Sequence, residues 1–420
     1  MIKAVPGTRD ILPGDIPSWK HIESIIESVF SRFNYKEIRT PVFEETALFA
    51  RGIGESTDIV SKEMYTFPDR SGDSLTLRPE MTAGVVRSFI EHSLDKKQNL
   101  NKLYYVAPMF RQERPQAGRL RQFHQFGAEA LGSNDSMLDA EMIIMAFDIL
   151  AALGLKNLTV KINSLGVPSS REEYKKKLKE HLLPGFDKLS NESRKRIETN
   201  ILRIFDSKEE QDRELTKDAP LLIDYIDEES LLHFQKVKEI LAGAGIPFEI
   251  DPKLVRGIDY YTNTTFEIVS GSVGSQSALC GGGRYNLLVK ELGGPDIPGV
   301  GFASGIERIL LACENEKSFV PAPEGIDLFI VALQKGLDSF VYKAALAFRR
   351  RGLNVDLDYL GRSVKAQMRE ANKSNSEFVL FVGGEEFDGN EVVLKNMKDG
   401  NQFNFAKEDL ENIYLNIKEK

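Results

Sequence analysis

The sequence predicts an α+β protein: a strand-and-helix core, interrupted by a helical insertion and followed by a small C-terminal α/β domain. Three observations carry that reading. Two strand-like stretches, KLYYVAPMFRQE (102–113) and FHQFGAEALG (123–132), flank the polar loop RPQAGRLR, the pattern of a long-looped antiparallel hairpin. Residues 170–245, with REEYKKKLKE and NESRKRIETNILRIF, are charged, helical in pattern and strandless. After the proline-bearing linker ENEKSFVPAPEG, strands and helices alternate: DLFIVAL, a helix to Arg351, LNVDLDYL, a helix from Ser363, then EFVLFVGG. That βαβαβ rhythm belongs to a parallel or mixed sheet. A chain of 420 residues exceeds one ordinary core.

The elements follow in order. Trp19, Ile22, Ile26, Phe30 and Phe33 recur at helical spacing through 16–33. EIRTPVF reads as one strand interrupted by Pro41, which confines it to an edge, a bulge or an interface. LTLRPEMTAGVVRSFIEH reads as a short strand, a turn at Pro79 and a helix. Asn134 or Asp135 can cap the helix DSMLDAEMIIMAFDILAAL, which ends at Gly154. LTVKINS is a further strand. Beyond the insertion, PFEIDPKLVRGIDYYTNTTFEIV and SALCGGGRYNLLV resume the strands. The turn GGPDIPGVG leads into the helix FASGIERILLAC.

Composition excludes several classes. Hydrophobic residues make up 41% and charged residues 28%, as in a soluble globular protein. No apolar run is long enough for a membrane span, and the N-terminus lacks the apolar stretch of a signal peptide, so a cytoplasmic protein is expected. The two cysteines, Cys280 and Cys313, fit no metal-ligand spacing and suit a reducing compartment. The five histidines are scattered, so no protein-held metal is expected. A net charge of −8 excludes a basic coat but not a local basic surface for phosphates.

The chemistry-bearing residues sit in four places. Arg111 and Glu113 alternate off a strand end, so both side chains point to one face. The return strand brings Arg121, Phe123, Gln125 and Glu129 to one side by period two. A bidentate cation, an aromatic plate and polar groups make a nucleotide floor, although the exposed face of a half-buried sheet would carry the same residues. In LVRGIDYYT, Arg256 stands beside Gly257, which permits close backbone approach, and Asp259, Tyr260 and Tyr261 follow. A turn with two core aromatics accounts for these too. The glycines of CGGGRY, before Arg284 and Tyr285, imply either a ligand against the backbone or a sharp bend. Arg308 falls early in an otherwise apolar helix pattern. No GxxxxGK[ST] loop occurs, and GVGFASG (299–305) lacks a feeding strand, so it reads as the close-packed start of a helix rather than a dinucleotide fingerprint.

Together these segments resemble a known family. FRQERPQAGRLRQFHQFGAEALG resembles motif 2 of the class II aminoacyl-tRNA synthetases, EIRTPVFEET motif 1, with Pro41 as its marker proline, and GVGFASGIERIL motif 3. LVRGIDYYTNTTFE and SALCGGGRYNLLV resemble the two signatures of the histidyl-tRNA synthetases of bacterial type. YLGRSVKAQMREANKSNSEFVLFVGGEE resembles their anticodon-binding domain, and the stretch 170–245 matches only loosely.

The resemblance implies a class II fold, with a mostly antiparallel sheet. Its domains would be a catalytic core in two parts (1–169 and 246–320), the insertion at 170–245 and an anticodon-binding domain at 325–420. It implies ATP as substrate, with Mg2+ held through its phosphates. Arg111 and Arg256 would lie at the α-phosphate, Arg308 across the β- and γ-phosphates, Glu113 on the adenine amino group, Phe123 against the base and Arg121 also with ATP. Glu80, Thr82 and Gln125 would hold the histidine ammonium, and Glu129 and Tyr261 the imidazole nitrogens, with Arg111, Arg256 and Tyr260 in the same pocket. Arg114 and Gln116 would meet the acceptor end of tRNA(His), and motif 1 would form a homodimer. Met81 departs from the pattern, which usually has glycine there. Three other classes compete: a regulatory subunit of an ATP phosphoribosyltransferase, a sister synthetase for threonine, proline or glycine, and an inert nucleotide-binding scaffold.

Overall fold

The structure is a computed structural model. It describes all residues except 55, 56, 58, 117, 257–259, 277, 320–324 and 419–420, and the backbone alone at 274–276. Gly257 and Asp259, and residues 320–324 of the linker, lie outside the described residues. The chain divides into two compact units, Met1–Val320 and Pro321–Lys420.

The first unit is built on an eight-stranded sheet. Its order is Lys36–Glu37, Asn101–Phe110, Gln122–Leu131, Gly299–Gly305, Ala278–Arg284, Thr262–Ser270, Leu158–Ser164 and Phe248–Ile250. Only the outermost pair at each edge is parallel; the six inner strands run antiparallel. The helices Ile16–Arg32, Ser136–Ala152 and Glu228–Gly243 share one principal core with the sheet. Trp19, Ile22, Ile26 and Phe30 of the first meet Phe126, Ala128, Phe266 and Phe302 of the strands. Because strand side chains alternate, the odd-numbered Phe123, Gln125 and Glu129 of the return strand turn to the other face. Asp135 caps the second helix, accepting from Met137 N at 2.9 Å.

Two readings are corrected here. GVGFASG is not a helix start but the central strand Gly299–Gly305, paired antiparallel on both sides, and the helix begins at Ile306. Its glycines hide its strand character because they carry no side chain to pattern. Gly301 is needed for space: a Cβ there would overlap the Glu129 carboxylate and sit 2.6 Å from Ala128 O. EIRTPVF is not one strand. Lys36–Glu37 joins the edge of the large sheet, while Phe43–Glu45 enters a separate three-stranded sheet with Ser74–Leu77 and Tyr65–Pro68. Pro41 lies in the crossing between them. The buried Arg78 donates there to Thr40 O (2.9 Å) and Pro41 O (3.2 Å), and to Pro108 O (2.8 Å).

Between 168 and 224 the chain is helical, with no strand among the described residues. The next helix, Glu228–Gly243, also lies in the stretch read as insertion, yet its Phe234, Val237 and Leu241 pack into the principal core.

The second unit is a five-stranded mixed sheet in the order Val355–Leu357, Leu328–Ala332, Phe378–Val382, Glu391–Asn396, Gln402–Ala406. The first three strands are parallel and the last two antiparallel. Leu328, Ile330 and Leu380 are buried on one face, Phe329, Val331 and Val379 on the other, as expected where both faces are covered.

Candidate active site

A cavity of about 570 Å³ opens on the sheet face opposite the three helices. At one end, Arg111 leaves the outgoing strand with its Nε donating to Pro79 O at 2.9 Å and its guanidinium 5.2 Å from the Phe123 ring centre. The loop 111–121 is closed at its base by Arg111 N donating to Arg121 O at 2.9 Å. Glu113 pairs with Arg119 at 3.3 Å. Arg308 reaches in from the helix Ile306–Glu316, donating from Nη1 to Ala278 O (2.9 Å) and from Nε to Gly118 O (3.2 Å). That helix is tied to the return strand by Glu307, whose carboxylate accepts from His124 N at 2.9 and 3.0 Å. Burial lowers the pKa of both Arg111 and Arg308, because desolvation disfavours the charged form, although the nearby Glu113 carboxylate works the other way.

Arg256 stands opposite, in an ion pair with Glu267, and its Nε is buried with no hydrogen-bond partner among the described residues. The glycine run explains its seat. A Cβ on Gly281 would overlap the Arg256 guanidinium, and one on Gly283 would lie 2.9 Å from the Tyr261 ring. The run lies within one continuous strand, Ala278–Arg284, whose pairing shifts register at Ala278/Cys280 and at Gly283/Arg284, and the side chains of Arg256 and Tyr261 lie against it. The Cys280 thiol also borders the cavity; burial pushes its pKa up, so it is no thiolate nucleophile.

The far end is tyrosine-rich. Glu80 is buried and accepts from Thr82 N (2.7 Å) and Ala83 N (2.9 Å), at the N-terminus of the helix Thr82–Glu91. Gln125 borders the cavity with a buried Oε1 that has no partner among the described residues, an acceptor open to a donor. Tyr260 and Tyr261 line the wall, their ring centres 4.8 Å apart. Glu129 lies one layer behind: fully buried, it accepts from Thr82 Oγ1 (2.7 Å), Tyr105 OH (3.4 Å) and Tyr285 OH. Burial pushes its carboxyl up to about 8 despite these donors. Met81 is buried among Val85, Tyr105, Ala107 and Met109, its Sδ 3.5 Å from Thr40 Oγ1. Its bulk is thus taken up largely by the core beside the pocket.

The structure therefore brings Glu80, Thr82, Arg111, Glu113, Phe123, Gln125, Arg256, Tyr260, Tyr261 and Arg308 to one cavity, with Glu129 behind its wall. Arg121 is a correction. The return strand starts at Gln122, so the alternation does not extend to residue 121. Its guanidinium turns to Glu113 O (3.2 Å) and Pro6 O (3.3 Å) instead. Arg114 and Gln116 are exposed on the loop, outside the cavity. Arg284 turns to the opposite face, fully buried against Asp139 of the capped helix at 3.0 and 3.1 Å from Nε.

Sequence reading missed Tyr105, Arg119, Glu267 and the role of Tyr285. Arg119 and Glu267 lie inside the quoted motifs, but only the fold shows which way they point. Among the described residues, no three side chains of metal-ligating type converge, and no helix is long and apolar enough to cross a membrane.

Known proteins resemble the chain over nearly its whole length. A family model described as histidyl-tRNA synthetase matches residues 7–309, and one described as an anticodon binding domain matches residues 327–417. The chain is 50% identical over 401 residues to the histidine–tRNA ligase of Geobacillus kaustophilus, covering 95% of this chain and 94% of that protein. It is 46% identical over 416 residues to that of Caldanaerobacter subterraneus subsp. tengcongensis, covering 99% and 100%. Among solved structures, the apo histidyl-tRNA synthetase of S. aureus superposes with a TM-score of 0.83 at 40% identity, covering 99% of this chain and 100% of that one.

Proposed function

The chain belongs to the histidyl-tRNA synthetase family, and from that premise we propose how its residues carry the family's reaction. A histidine–tRNA ligase activates L-histidine with ATP to histidyl-adenylate, then transfers histidine to tRNA(His), releasing pyrophosphate and AMP. The histidine carboxylate attacks the α-phosphorus and pyrophosphate leaves; the terminal ribose of the tRNA then attacks the adenylate carbonyl. No protein nucleophile is needed, so the rate comes from positioning and from charge stabilisation.

The observation that carries the assignment is the sorting of the cavity into a cationic end and a tyrosine–carboxyl end. Arg111 and Arg256 hold the α-phosphate, and Arg308 spans the β- and γ-phosphates. Phe123 stacks on adenine and Glu113 accepts from its amino group. Arg121 acts on ATP at most through the loop it clasps. Mg2+ arrives on the ATP phosphates, which suits an ion that keeps few protein ligands. Glu80, Thr82 and Gln125 take the ammonium group, and Gln125 Oε1 is open for it. Tyr261 meets one imidazole nitrogen, with Tyr260 beside it, and Glu129 takes the other when histidine displaces one of the hydroxyl donors in front of its carboxyl. A side chain lacking either ring nitrogen leaves a buried polar group unpaired, which is how such a pocket discriminates.

Arg114 and Gln116, exposed on the loop, meet the acceptor end of the tRNA, the helical insertion closes over its stem, and residues 325–420 read the anticodon. The core is divided as 1–169 and 246–320 around the insertion, whose last helix, Glu228–Gly243, packs back onto it. A homodimer forms through the motif 1 region, where Val42, Phe43 and Phe67 leave an apolar patch exposed. The reaction is placed in the cytoplasm.

The deciding measurement is exchange of labelled pyrophosphate into ATP. Histidine supports exchange; threonine, proline and glycine do not. Absence of exchange from folded protein favours a regulatory subunit or scaffold. Arg256→Ala lowers the rate by roughly 3–4 kcal/mol of barrier without unfolding the chain, and near-normal exchange from it would remove Arg256 from the mechanism.

A further inference from the structure

Both necks of the inserted segment are bonded to the strand Thr262–Ser270, which begins directly after Tyr261. On the outgoing side, Leu165 N donates to Asn263 O (2.7 Å) and Asn263 N to Gly166 O (2.9 Å). On the return side, Asp227 accepts from Ser230 N (2.9 Å) and from Ser170 Oγ (3.2 Å), which joins the two necks to each other. Ser230 Oγ lies 2.9 Å from Asn263 Oδ1. Asn263 is buried in the left-handed region, φ +44°, a conformation a non-glycine residue keeps only where its surroundings hold it.

The most direct link is Arg171. It stands in the first turn of the helix Pro168–Leu182, and its Nη1 donates to Tyr261 O at 2.8 Å. Tyr261 is then held from two sides: its ring rests on the bare backbone of Gly283, and its carbonyl is gripped by a cation from the inserted helix. Arg171 does not line the cavity, so it touches neither substrate.

We infer that Arg171 is a positioning residue for the histidine pocket. It sets where Tyr261 stands, so a displacement of the helix Pro168–Leu182 is passed through Arg171 to the amino-acid end of the cavity. This rests on the reading of Tyr261 as a histidine contact.

The test is calorimetric titration of the full chain with L-histidine and, separately, with ATP. Arg171→Ala weakens histidine by roughly tenfold, the value of one charge-assisted hydrogen bond, and leaves ATP within about twofold. Arg171→Lys, which keeps a charged donor of different geometry, falls between. If Arg171→Ala does not fold, as judged by its thermal melt, the same comparison is made with Arg171→Gln. Histidine binding equal to the parent chain's, or equal losses for both ligands, overturns the inference. A parent chain that binds ATP but no histidine defeats the reading of the pocket itself, and the inference with it.

Discussion

Glu129 shows how one side chain depends on everything packed around it. Three hydroxyl groups converge on a fully buried carboxyl, yet burial dominates and pushes its pKa up to about 8. An unfolded chain releases this proton at the ordinary carboxyl value, about 4.3. Between that value and about 8 the folded state binds more protons, so the group's contribution to stability declines as pH rises, with a limiting slope of about 1.4 kcal/mol per pH unit. Glu129→Gln cannot titrate. The urea stability of the parent chain, measured relative to Glu129→Gln without ligand, is therefore expected to fall between pH 5.5 and 8; parallel pH profiles would contradict the assignment. In histidine titrations, Glu129→Ala weakens histidine more than ATP, and equal loss of both would indicate general loosening.

At the scale of elements, the inserted segment is organised around Asp212. This buried carboxylate accepts from Ser190 N (2.8 Å), Ser190 Oγ (2.7 Å), Ser193 Oγ (2.6 Å) and Ser207 Oγ (2.6 Å). It thus fastens the start of the helix Asn191–Thr199 to the turn after Ile201–Asp206, whose Arg203 and Asp206 border the catalytic cavity. Burial opposes the charge, but the donors hold the carboxyl below its usual range. Asp212→Ala strands those donors and is expected to cost on the order of 3 kcal/mol. Limited proteolysis reads the effect as new cleavage between 183 and 220 while the sheet strands stay protected. Unchanged cleavage would show that the segment is held by its apolar contacts alone. In the hairpin strands Asn101–Phe110 and Gln122–Leu131, by contrast, all ten residues of each are paired with the other.

The whole molecule is two folded units, each with its own sheet and core. A domain with its own core can fold alone. Residues 321–420 expressed separately are expected to melt cooperatively, and the fragment 1–320 to keep histidine-dependent pyrophosphate exchange while losing most of its tRNA charging. Loss of exchange from a folded 1–320 fragment would show that the active site needs the second unit.

The order of elements was legible in the chain itself, because period-two alternation, helical spacing and capping residues are local signals: the hairpin flanking the loop 111–121, the helix capped by Asp135 and the alternation beyond Leu328 all appear where the pattern puts them. The family resemblance likewise rests on contiguous motifs. Direction and depth are not local. Whether Arg121 joined the cavity depended on the residue at which a strand begins, and Glu129 lies behind the cavity wall because Thr82, Tyr105 and Tyr285 stand in front of it. The glycines at 281, 283 and 301 could not declare what they make room for, since an absent side chain leaves no pattern until the guanidinium, ring and carboxylate from distant segments pack into its place. A carboxyl titrating near 8 and an arginine gripping the back of a tyrosine are products of that packing, and only the assembled fold decides them.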